Sequence, residues 1–260
     1  MIEFKKSLGQ NFLRDNNIIQ KIINPYNIKN KNILEIGPGK GALTMQIIKK
    51  KPKNFILIEK DKKLFEELKN NLNYQSVNVL NDDILKVDIE KIIKKNTIIF
   101  GNLPFNISTQ ILVKFVKFAV WPPLFSKLIF MFQKEVGEKI LSLNNEKNYG
   151  RISIIANYRF KIKKILSVSK NCFFPVPKVD SLVLEFEPKL ENFKINDLSN
   201  LENITHLFFS QKRKVIRKPF EKLFKNYEHY AQKFNLSLRE RPSEIAAEKY
   251  YMIVQAYENQ

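Results

Sequence analysis

Short apolar segments alternate with helical patterns along most of this chain, and each apolar segment ends abruptly at a glycine or a polar residue. Short apolar runs of this kind are typical of buried strands, whereas apolar side chains spaced three and four residues apart indicate helices. The runs occupy residues 32–36, 55–59, 77–80, 98–100 and 128–132. Strands and helices that alternate at this pitch predict an α/β fold, a doubly wound and mainly parallel sheet with helices on both faces.

The last part of the chain has a different pattern. Residues 182–186 are expected to form an edge strand, and the polar, aperiodic stretch 188–198 is expected to be a linker. From Leu201 onward the pattern is helical. We therefore predict a main α/β domain over residues 1–188 and a small all-α domain over residues 199–260.

Composition limits the class of protein and its compartment. The 260 residues carry 45 Lys and Arg against 26 Asp and Glu, a formal net charge of +19 that attracts polyanions such as nucleic acid. No apolar run reaches the roughly 20 residues of a membrane-spanning helix, and the first residues lack the apolar core of a signal peptide. With Cys172 as the single cysteine and only two histidines, we expect no metal site. We expect a cytoplasmic monomer that does not contact membranes.

The densest group of positive charges is the segment 212–218, in which five of seven residues are cationic. Val215 and Ile216 interrupt the cations at helical spacing, so we predict a helix that buries both and presents its cations to a phosphate backbone. The predicted RNA-binding residues are Lys212, Arg213, Lys214, Arg217 and Lys218. Two alternatives stay open: an ordinary solvated helix face, or the lysine-rich composition that an AT-rich genome produces.

Glycines follow the first strong strand and indicate a ligand site. Gly37, Gly39 and Gly41 lie between this strand and a helix, and glycine lets the backbone approach a ligand closely. Doubly wound sheets bind ligands beyond the carboxyl ends of their strands, near the point where the strand order reverses. Glu59 ends the next strand roughly 20 residues later, where a carboxylate can accept hydrogen bonds from both ribose hydroxyls. A plain strand–helix turn is the alternative.

Two neighbours of these glycines narrow the choice of ligand. Pro38 removes an N–H group that a phosphate-cradling loop would need, and Glu35 would repel a pyrophosphate. A ligand with a cationic centre fits better, so S-adenosylmethionine is favoured over NAD or ATP. Asp83, at the end of the third strand, can accept a hydrogen bond from an adenine amino group; a helix N-cap or an exposed turn acid is the alternative.

The tetrapeptide Asn102-Leu103-Pro104-Phe105 at the end of the fourth strand is typical of methyltransferases that act on exocyclic amines. Adenine N6 is a poor nucleophile because its lone pair is delocalised into the ring. We predict that the Asn102 side-chain oxygen and the Pro104 carbonyl accept hydrogen bonds from this amine, while Phe105 stacks on the base. The alternative is a turn shaped by Asn and Pro, with Phe105 as a packing residue.

Seven motifs in order give the chain a close resemblance to a known family. They occupy residues 6–13, 35–39, 101–109, 132–136, 149–153, 173–181 and 209–214. Together they resemble the small-subunit (16S) ribosomal RNA adenine N6-dimethyltransferases, over residues 5 to about 255. The resemblance implies a class I methyltransferase (Rossmann-like) sheet with a C-terminal helical domain. It also implies transfer of methyl groups from S-adenosylmethionine to N6 of two adjacent adenosines in the 3′-terminal hairpin of small-subunit rRNA. The implied partner is this rRNA, either free or in an assembling small ribosomal subunit.

The same resemblance implies roles for single residues. The implied cofactor-binding residues are Asn11, Leu13, Gly37, Gly39, Glu59, Asp83 and Asn102. The implied catalytic residues are Asn102, Pro104, Phe105 and Phe173, with Phe173 stacked on the target base opposite Phe105. The family's tetrapeptide usually ends in Tyr. Phe105 keeps the stacking ring but lacks the hydroxyl, so any hydrogen bond made by that hydroxyl is lost. We expect this loss to affect the rate of the first methyl transfer relative to the second.

Three alternatives remain at this point. A large-subunit (23S) rRNA adenine methyltransferase of the macrolide-resistance type shares the glycine and tetrapeptide motifs, although residues 211–217 fit the small-subunit type better. A non-catalytic ribosome assembly factor on the same fold is disfavoured by the intact Glu59, Asp83 and Asn102. A small-molecule methyltransferase is disfavoured by the positive charge.

Overall fold

The computed structural model describes residues 11–72, 74–190 and 193–260, so the start of the first motif, residues 6–10, lies outside the described residues. The described chain forms two compact units. The first comprises the described parts of Met1–Gly137 and Lys161–Pro188, and the second comprises Glu138–Phe160 and the described part of Lys189–Gln260. Within the described ranges, no helix combines the length and the apolar character needed to cross a bilayer.

Among its described residues, the first unit contains a two-stranded ribbon, a seven-stranded sheet and five helices, numbered here in chain order. The ribbon strands are β1 (Phe12–Leu13) and β8 (Phe173–Phe174). The sheet strands are β2 (Asn32–Ile36), β3 (Asn54–Glu59), β4 (Val77–Asn81), β5 (Thr97–Asn102), β6 (Phe125–Gln133), β7 (Phe160–Val168) and β9 (Ser181–Pro188). The helices are α1 (Asn16–Ile23), α2 (Ala42–Lys49), α3 (Lys62–Asn71), α4 (Ile89–Ile92) and α5 (Ser108–Val116).

The sheet has the order β4-β3-β2-β5-β6-β9-β7. The pairs β4–β3, β3–β2, β2–β5 and β5–β6 are parallel, and β6–β9 is antiparallel. The chain adds strands outward from β2 to β4 and then returns to the other side of β2 for β5, so strand order reverses between β2 and β5. This reversal is the position at which doubly wound sheets bind their ligands.

Local sequence explains where the helices of this unit begin. Asp15 and Asp61 cap α1 and α3, because each carboxylate accepts hydrogen bonds from backbone N–H groups of the first turn. The five apolar runs in the sequence all lie within sheet strands, as expected. Phe100 on β5 and Phe130 on β6 are completely buried, which places the core on the central strands.

The second unit is helical. Helix α6 (Lys134–Leu141) begins in the first unit and ends in this one. The other helices are α7 (Arg151–Arg159), α8 (Leu198–Phe209), α9 (Arg217–Leu223), α10 (Tyr227–Lys233) and α11 (Ala247–Glu258). The Tyr251 hydroxyl on α11 donates a hydrogen bond of 2.7 Å to the Ile154 carbonyl on α7. The ring of Tyr250 packs edge-on against Phe208 of α8, so α7, α8 and α11 share one core.

Three expectations about the elements are corrected. Residues 182–186 do not form an edge strand, because β9 lies between β6 and β7. Residues 138–160, expected in the first domain, belong to the helical unit since α7 packs on α8 and α11. Residues 212–216 are not helical, and Val215 is exposed while Ile216 is buried. Ile216 anchors the segment, and α9 begins only at Arg217.

A buried carboxylate ties β9 to the rest of the first unit. Glu185 is 3% exposed and accepts hydrogen bonds from the Tyr26 hydroxyl at 2.6 Å and from the Lys127 ammonium at 2.8 Å. Lys163 on β7 lies 3.0 Å from the same carboxylate. A buried charge is tolerated only when it is paired and hydrogen-bonded, so the partners of Glu185 stabilise the sheet at its antiparallel strand.

We expect Glu185→Gln to lower the free energy of unfolding by about 1–3 kcal/mol, because the charged hydrogen bonds to Lys127 and Lys163 are lost in a buried setting. Denaturant unfolding measures this. Glu187→Gln is the matched control: it lies on the same strand and contacts the same lysine at 3.1 Å, but its side chain is 53% exposed. The control should lose less than about 1 kcal/mol, and equal losses would contradict the role of burial.

Candidate active site

The carboxyl ends of β2, β3 and β5 open into one cleft in the first unit. Nine of the ten sequence-predicted cofactor and catalytic residues line it: Asn11, Leu13, Gly37, Gly39, Glu59, Asp83, Asn102, Pro104 and Phe105. The tenth, Phe173, is not among the lining residues. The cleft also exposes residues that sequence reasoning did not single out, including Phe12, Lys40 and Lys60.

The glycine turn after β2 has a backbone conformation that other residues rarely adopt. Gly37 has a φ of +65° and Gly39 a φ of +58°. A Cβ atom at Gly39 would lie 2.8 Å from the ring of Phe12, so this position needs glycine for space as well as for conformation. The turn thus passes directly beneath Phe12 at the wall of the cleft.

Glu59 holds the glycine turn against the end of β3. One carboxylate oxygen accepts a hydrogen bond from Gly39 N at 3.0 Å, and the other accepts one from Asp61 N at 2.8 Å. The side chain is buried, and this burial raises the pKa of Glu59 above its ordinary value. Each carboxylate oxygen retains a second lone pair, so the carboxylate is oriented by the backbone and can still accept bonds from a diol.

Glu35 is a second buried acid, the second-last residue of strand β2, just before the glycines. It is 1% exposed and accepts a hydrogen bond of 2.7 Å from the Thr44 hydroxyl. Burial raises the pKa of Glu35 from 4.5 to about 8. Burial therefore favours the neutral form of Glu35, and a neutral carboxyl repels a phosphate less than the charged acid that the sequence suggested.

Asp83 lies at the cleft after β4, and its carboxylate is already engaged. The Lys60 ammonium donates to one oxygen at 2.8 Å, and Leu85 N donates to the other at 3.0 Å. The hydrogen bond from Lys60 holds the pKa of Asp83 below its ordinary value. The carboxylate is therefore charged and acts only as an acceptor, as recognition of an amino group requires.

The tetrapeptide after β5 is anchored at both ends. The Asn102 amide nitrogen donates a hydrogen bond of 2.9 Å to the Asn11 carbonyl, which orients the side chain and leaves its oxygen as an acceptor. Leu103 is buried beneath the loop. The Pro104 carbonyl accepts a hydrogen bond of 3.1 Å from Ile107 N as α5 begins, so one of its two lone pairs is used by the turn itself.

Phe173 does not line the cleft in this structure, and its role in stacking on the target base stays a prediction. Phe173 is 2% exposed and packs in the core with Leu13 and Ile19. The reason is its pairing in the ribbon, where Phe173 is opposite Leu13 and Phe174 is opposite Phe12. Residues directly opposite each other project to the same face of a strand pair. Phe173 and Leu13 therefore enter the core together, and Phe174 and Phe12 lie on the other face.

The predicted RNA-binding segment lies in the helical unit, and its cations have different environments. Lys212 is half-buried, and its ammonium donates to the carbonyls of Tyr149 at 2.7 Å and Lys147 at 3.1 Å. Arg217 lies 3.7 Å from Glu228. Four of the five cations are exposed on the surface: Arg213, Lys214, Arg217 and Lys218. Lys212 is thus engaged in holding its own loop, which its position in a cationic run did not reveal.

A family model described as ribosomal RNA adenine dimethylase matches residues 1–259. The chain belongs to this family. The ribosomal RNA small subunit methyltransferase A of Pelagibacter ubique is 45% identical over 258 residues, 99% of this chain and 98% of that protein. The protein of the same name from Mycoplasma mobile is 37% identical, with 96% of each chain covered.

Solved structures agree with the family. A dimethyladenosine transferase from Plasmodium falciparum superposes with a TM-score of 0.78 at 26% identity, over 95% of this chain and 98% of that one. The 23S rRNA methyltransferase ErmE gives a TM-score of 0.67 at 20% identity, over 96% of this chain and 100% of that one, a likeness of fold alone. The predicted class I methyltransferase fold and the predicted enzyme class, an rRNA adenine dimethyltransferase, are confirmed.

We expect Glu35→Gln to change how stability depends on pH. The Glu35 carboxyl loses its proton near pH 4.5 in the unfolded chain but only near pH 8 in the folded protein. The free energy of unfolding of the wild type therefore falls as the pH rises between these two values. The melting temperature of the variant, minus that of the wild type, should increase from about pH 5 to about pH 8 and then level off. Thermal unfolding of the cofactor-free protein measures the difference.

The exposed Glu66→Gln on α3 is the control and should leave the melting temperature nearly unchanged at every pH. A Glu35→Gln difference that stays constant across the pH series would contradict a raised pKa at Glu35.

Proposed function

We propose that this protein uses S-adenosylmethionine to dimethylate N6 of two adjacent adenosines in the 3′-terminal hairpin of small-subunit (16S) rRNA. The observation that carries the proposal is the meeting of the glycine turn, Glu59 and Asn102 in one cleft at the ends of three adjacent parallel strands. The assignment to the small subunit is supported by relatives that carry that name at 37–45% identity across nearly the whole chain.

The residues of the cleft fit the proposed cofactor. The glycine turn would approach its methionine part, Glu59 would accept hydrogen bonds from the ribose hydroxyls, and Asp83 would accept one from the adenine amino group. Glu35 lies at the same cleft, where a nearby cation would favour its charged form and lower its pKa. When bound, S-adenosylmethionine supplies a methyl group activated by a sulfonium centre. Asn11 and Leu13 close the cleft from the side of β1.

The tetrapeptide loop prepares the adenine amine. The oxygen of Asn102 and the second lone pair of the Pro104 carbonyl accept the two N6 hydrogens, which favours tetrahedral geometry at the nitrogen. Phe105 stacks on the ring and offsets part of the cost of removing the base from its helix, a few kcal/mol. An amide does not act as a base at neutral pH, so the proton that N6 loses after alkylation passes to water.

Methylation of purified ribosomal subunits tests the proposed substrate. Subunits from cells that lack this protein are incubated with radiolabelled S-adenosylmethionine, and the modified nucleotides are mapped. We expect two adjacent dimethyladenosines near the 3′ end of small-subunit rRNA and none in the large subunit. Label in large-subunit rRNA would instead favour the 23S alternative, and cofactor binding without transfer would favour an assembly factor.

We expect Asn102→Ala to reduce kcat by roughly a hundredfold or more, the typical loss when one preorganised hydrogen-bond partner of a transition state is removed. The affinity for S-adenosylmethionine should fall much less, because Glu59 and the glycine turn remain. Single-turnover methylation and calorimetry separate the two effects. Asn78→Ala, an exposed asparagine on β4, is the matched control and should leave both unchanged. Near-normal turnover of Asn102→Ala would refute its proposed role.

We expect the double variant Arg213→Ala/Lys214→Ala to weaken RNA binding and to reduce the slope of log Kd against log salt by about two, one for each phosphate contact. Both side chains are exposed in the helical unit. Lys212→Ala should instead lower the melting temperature, since its ammonium binds two carbonyls of its own unit. Anisotropy titrations at several salt concentrations measure the slope, and an unchanged slope would place the RNA surface elsewhere.

A further inference from the structure

The ribbon of β1 and β8 has one buried face and one outer face. Leu13 and Phe173 are paired and buried, whereas Phe12 and Phe174 are paired on the opposite face. Phe12 lines the cleft, and its ring lies against the position of a Cβ at Gly39. Because directly opposite residues share a face, Phe174 extends the Phe12 face outward from the wall of the cleft.

Arg14 lies over the outer part of this face. Its guanidinium carbon is 3.8 Å from the centre of the Phe174 ring, and the Arg14 side chain is exposed. Arg14 N donates a hydrogen bond of 2.8 Å to the Cys172 carbonyl, so the backbone beneath the side chain is fixed to the segment that carries Phe174. Phe174 is itself 37% exposed, whereas the adjacent Phe173 is 2% exposed.

A stacked Arg–Phe pair has the chemistry of a nucleic-acid contact. An aromatic ring attracts a guanidinium placed over its face, and a guanidinium is planar, so it can itself stack on a second planar group and donate N–H bonds from its edge. Unpaired bases of RNA stack on arginine planes and aromatic rings, and arginine binds phosphate oxygens through two N–H groups at once. Lys40, whose ammonium lies 5.3 Å from the Phe12 ring, adds positive charge on the same side.

We propose that Arg14 and Phe174 form an RNA contact at the rim of the cleft. An unpaired base next to the target adenosine stacks on the Arg14 guanidinium, which Phe174 supports, and the N–H edge of Arg14 binds a phosphate of the same strand. This inference rests on the proposed function, because it assumes that the cleft receives an adenosine of an RNA strand.

The test compares Arg14→Ala, Arg14→Lys and Phe174→Leu with the wild type. Binding of a small-subunit 3′-terminal hairpin RNA is measured by fluorescence anisotropy at several salt concentrations, together with kcat, KM for RNA, affinity for S-adenosylmethionine and melting temperature. Val176→Ala is the matched control, because Val176 is 56% exposed in the same segment and has no aromatic ring.

We expect Arg14→Ala to raise the RNA Kd and KM roughly tenfold, the scale of one stacked base, and to reduce the salt slope by about one. Arg14→Lys should keep the salt slope but lose most of the stacking affinity, because an ammonium has no plane. Phe174→Leu should raise the Kd without changing the slope. Cofactor affinity and melting temperature should stay near wild-type values in all three variants, and Val176→Ala should match the wild type throughout.

Two results would overturn the inference. In the first, the wild type methylates the RNA, and Arg14→Ala binds it with the same Kd and the same salt slope as the wild type. This result would refute the contact and leave the proposed function intact. The other is a loss in Arg14→Ala that follows a fall in melting temperature or in cofactor affinity, which makes the pair structural. A wild type that neither binds nor methylates small-subunit RNA would refute the proposed function and, with it, this inference.

Discussion

The parallel pairing of β2 with β3 on one side and with β5 on the other is the constraint on which the site depends. Parallel strands end at the same edge of a sheet, so residues separated by tens of positions in the chain meet there. The hydrogen bond from Gly39 N to Glu59 joins the first two strand ends. The bond from the Asn102 amide to the Asn11 carbonyl joins the third to the ribbon. These two bonds hold Glu59, for which we propose a cofactor contact, and Asn102, for which we propose a substrate contact, in one cleft.

This constraint explains why so much of the site could be predicted from sequence. Each buried strand is visible as an apolar run, and the residue that ends the run must lie at the ligand edge once the sheet is parallel. The positions of Glu59 and Asn102 at this edge could be predicted from the apolar runs alone. Their hydrogen-bond partners were not visible, because Asn11 and Gly39 contribute backbone atoms, whose bonding depends on the path of the chain rather than on residue type.

Where the structure differs from what the sequence suggested, the cause is contact between segments that are distant in the chain. Strands β1 and β8 have two residues each and are far apart in the chain, so no periodicity could show which of two adjacent phenylalanines faces the core. The ammonium of Lys212 binds carbonyls of Lys147 and Tyr149, more than sixty positions earlier, which a local run of cations could not reveal. The segment 138–160 joins the helical unit for the same kind of reason, since only its packing on later helices decides where it belongs.

Glu35 shows that residue identity also leaves the charge of a group undecided. In the sequence it is an acid beside a glycine turn, and in the structure it is a buried acid whose burial raises its pKa to about 8. A neutral carboxyl avoids most of the desolvation cost of a buried ion. A cation placed beside it lowers the pKa and restores the charge. In the proposed complex, Glu35 would attract the cation of the ligand only once it is charged, so part of that attraction would be offset by the work of removing the proton.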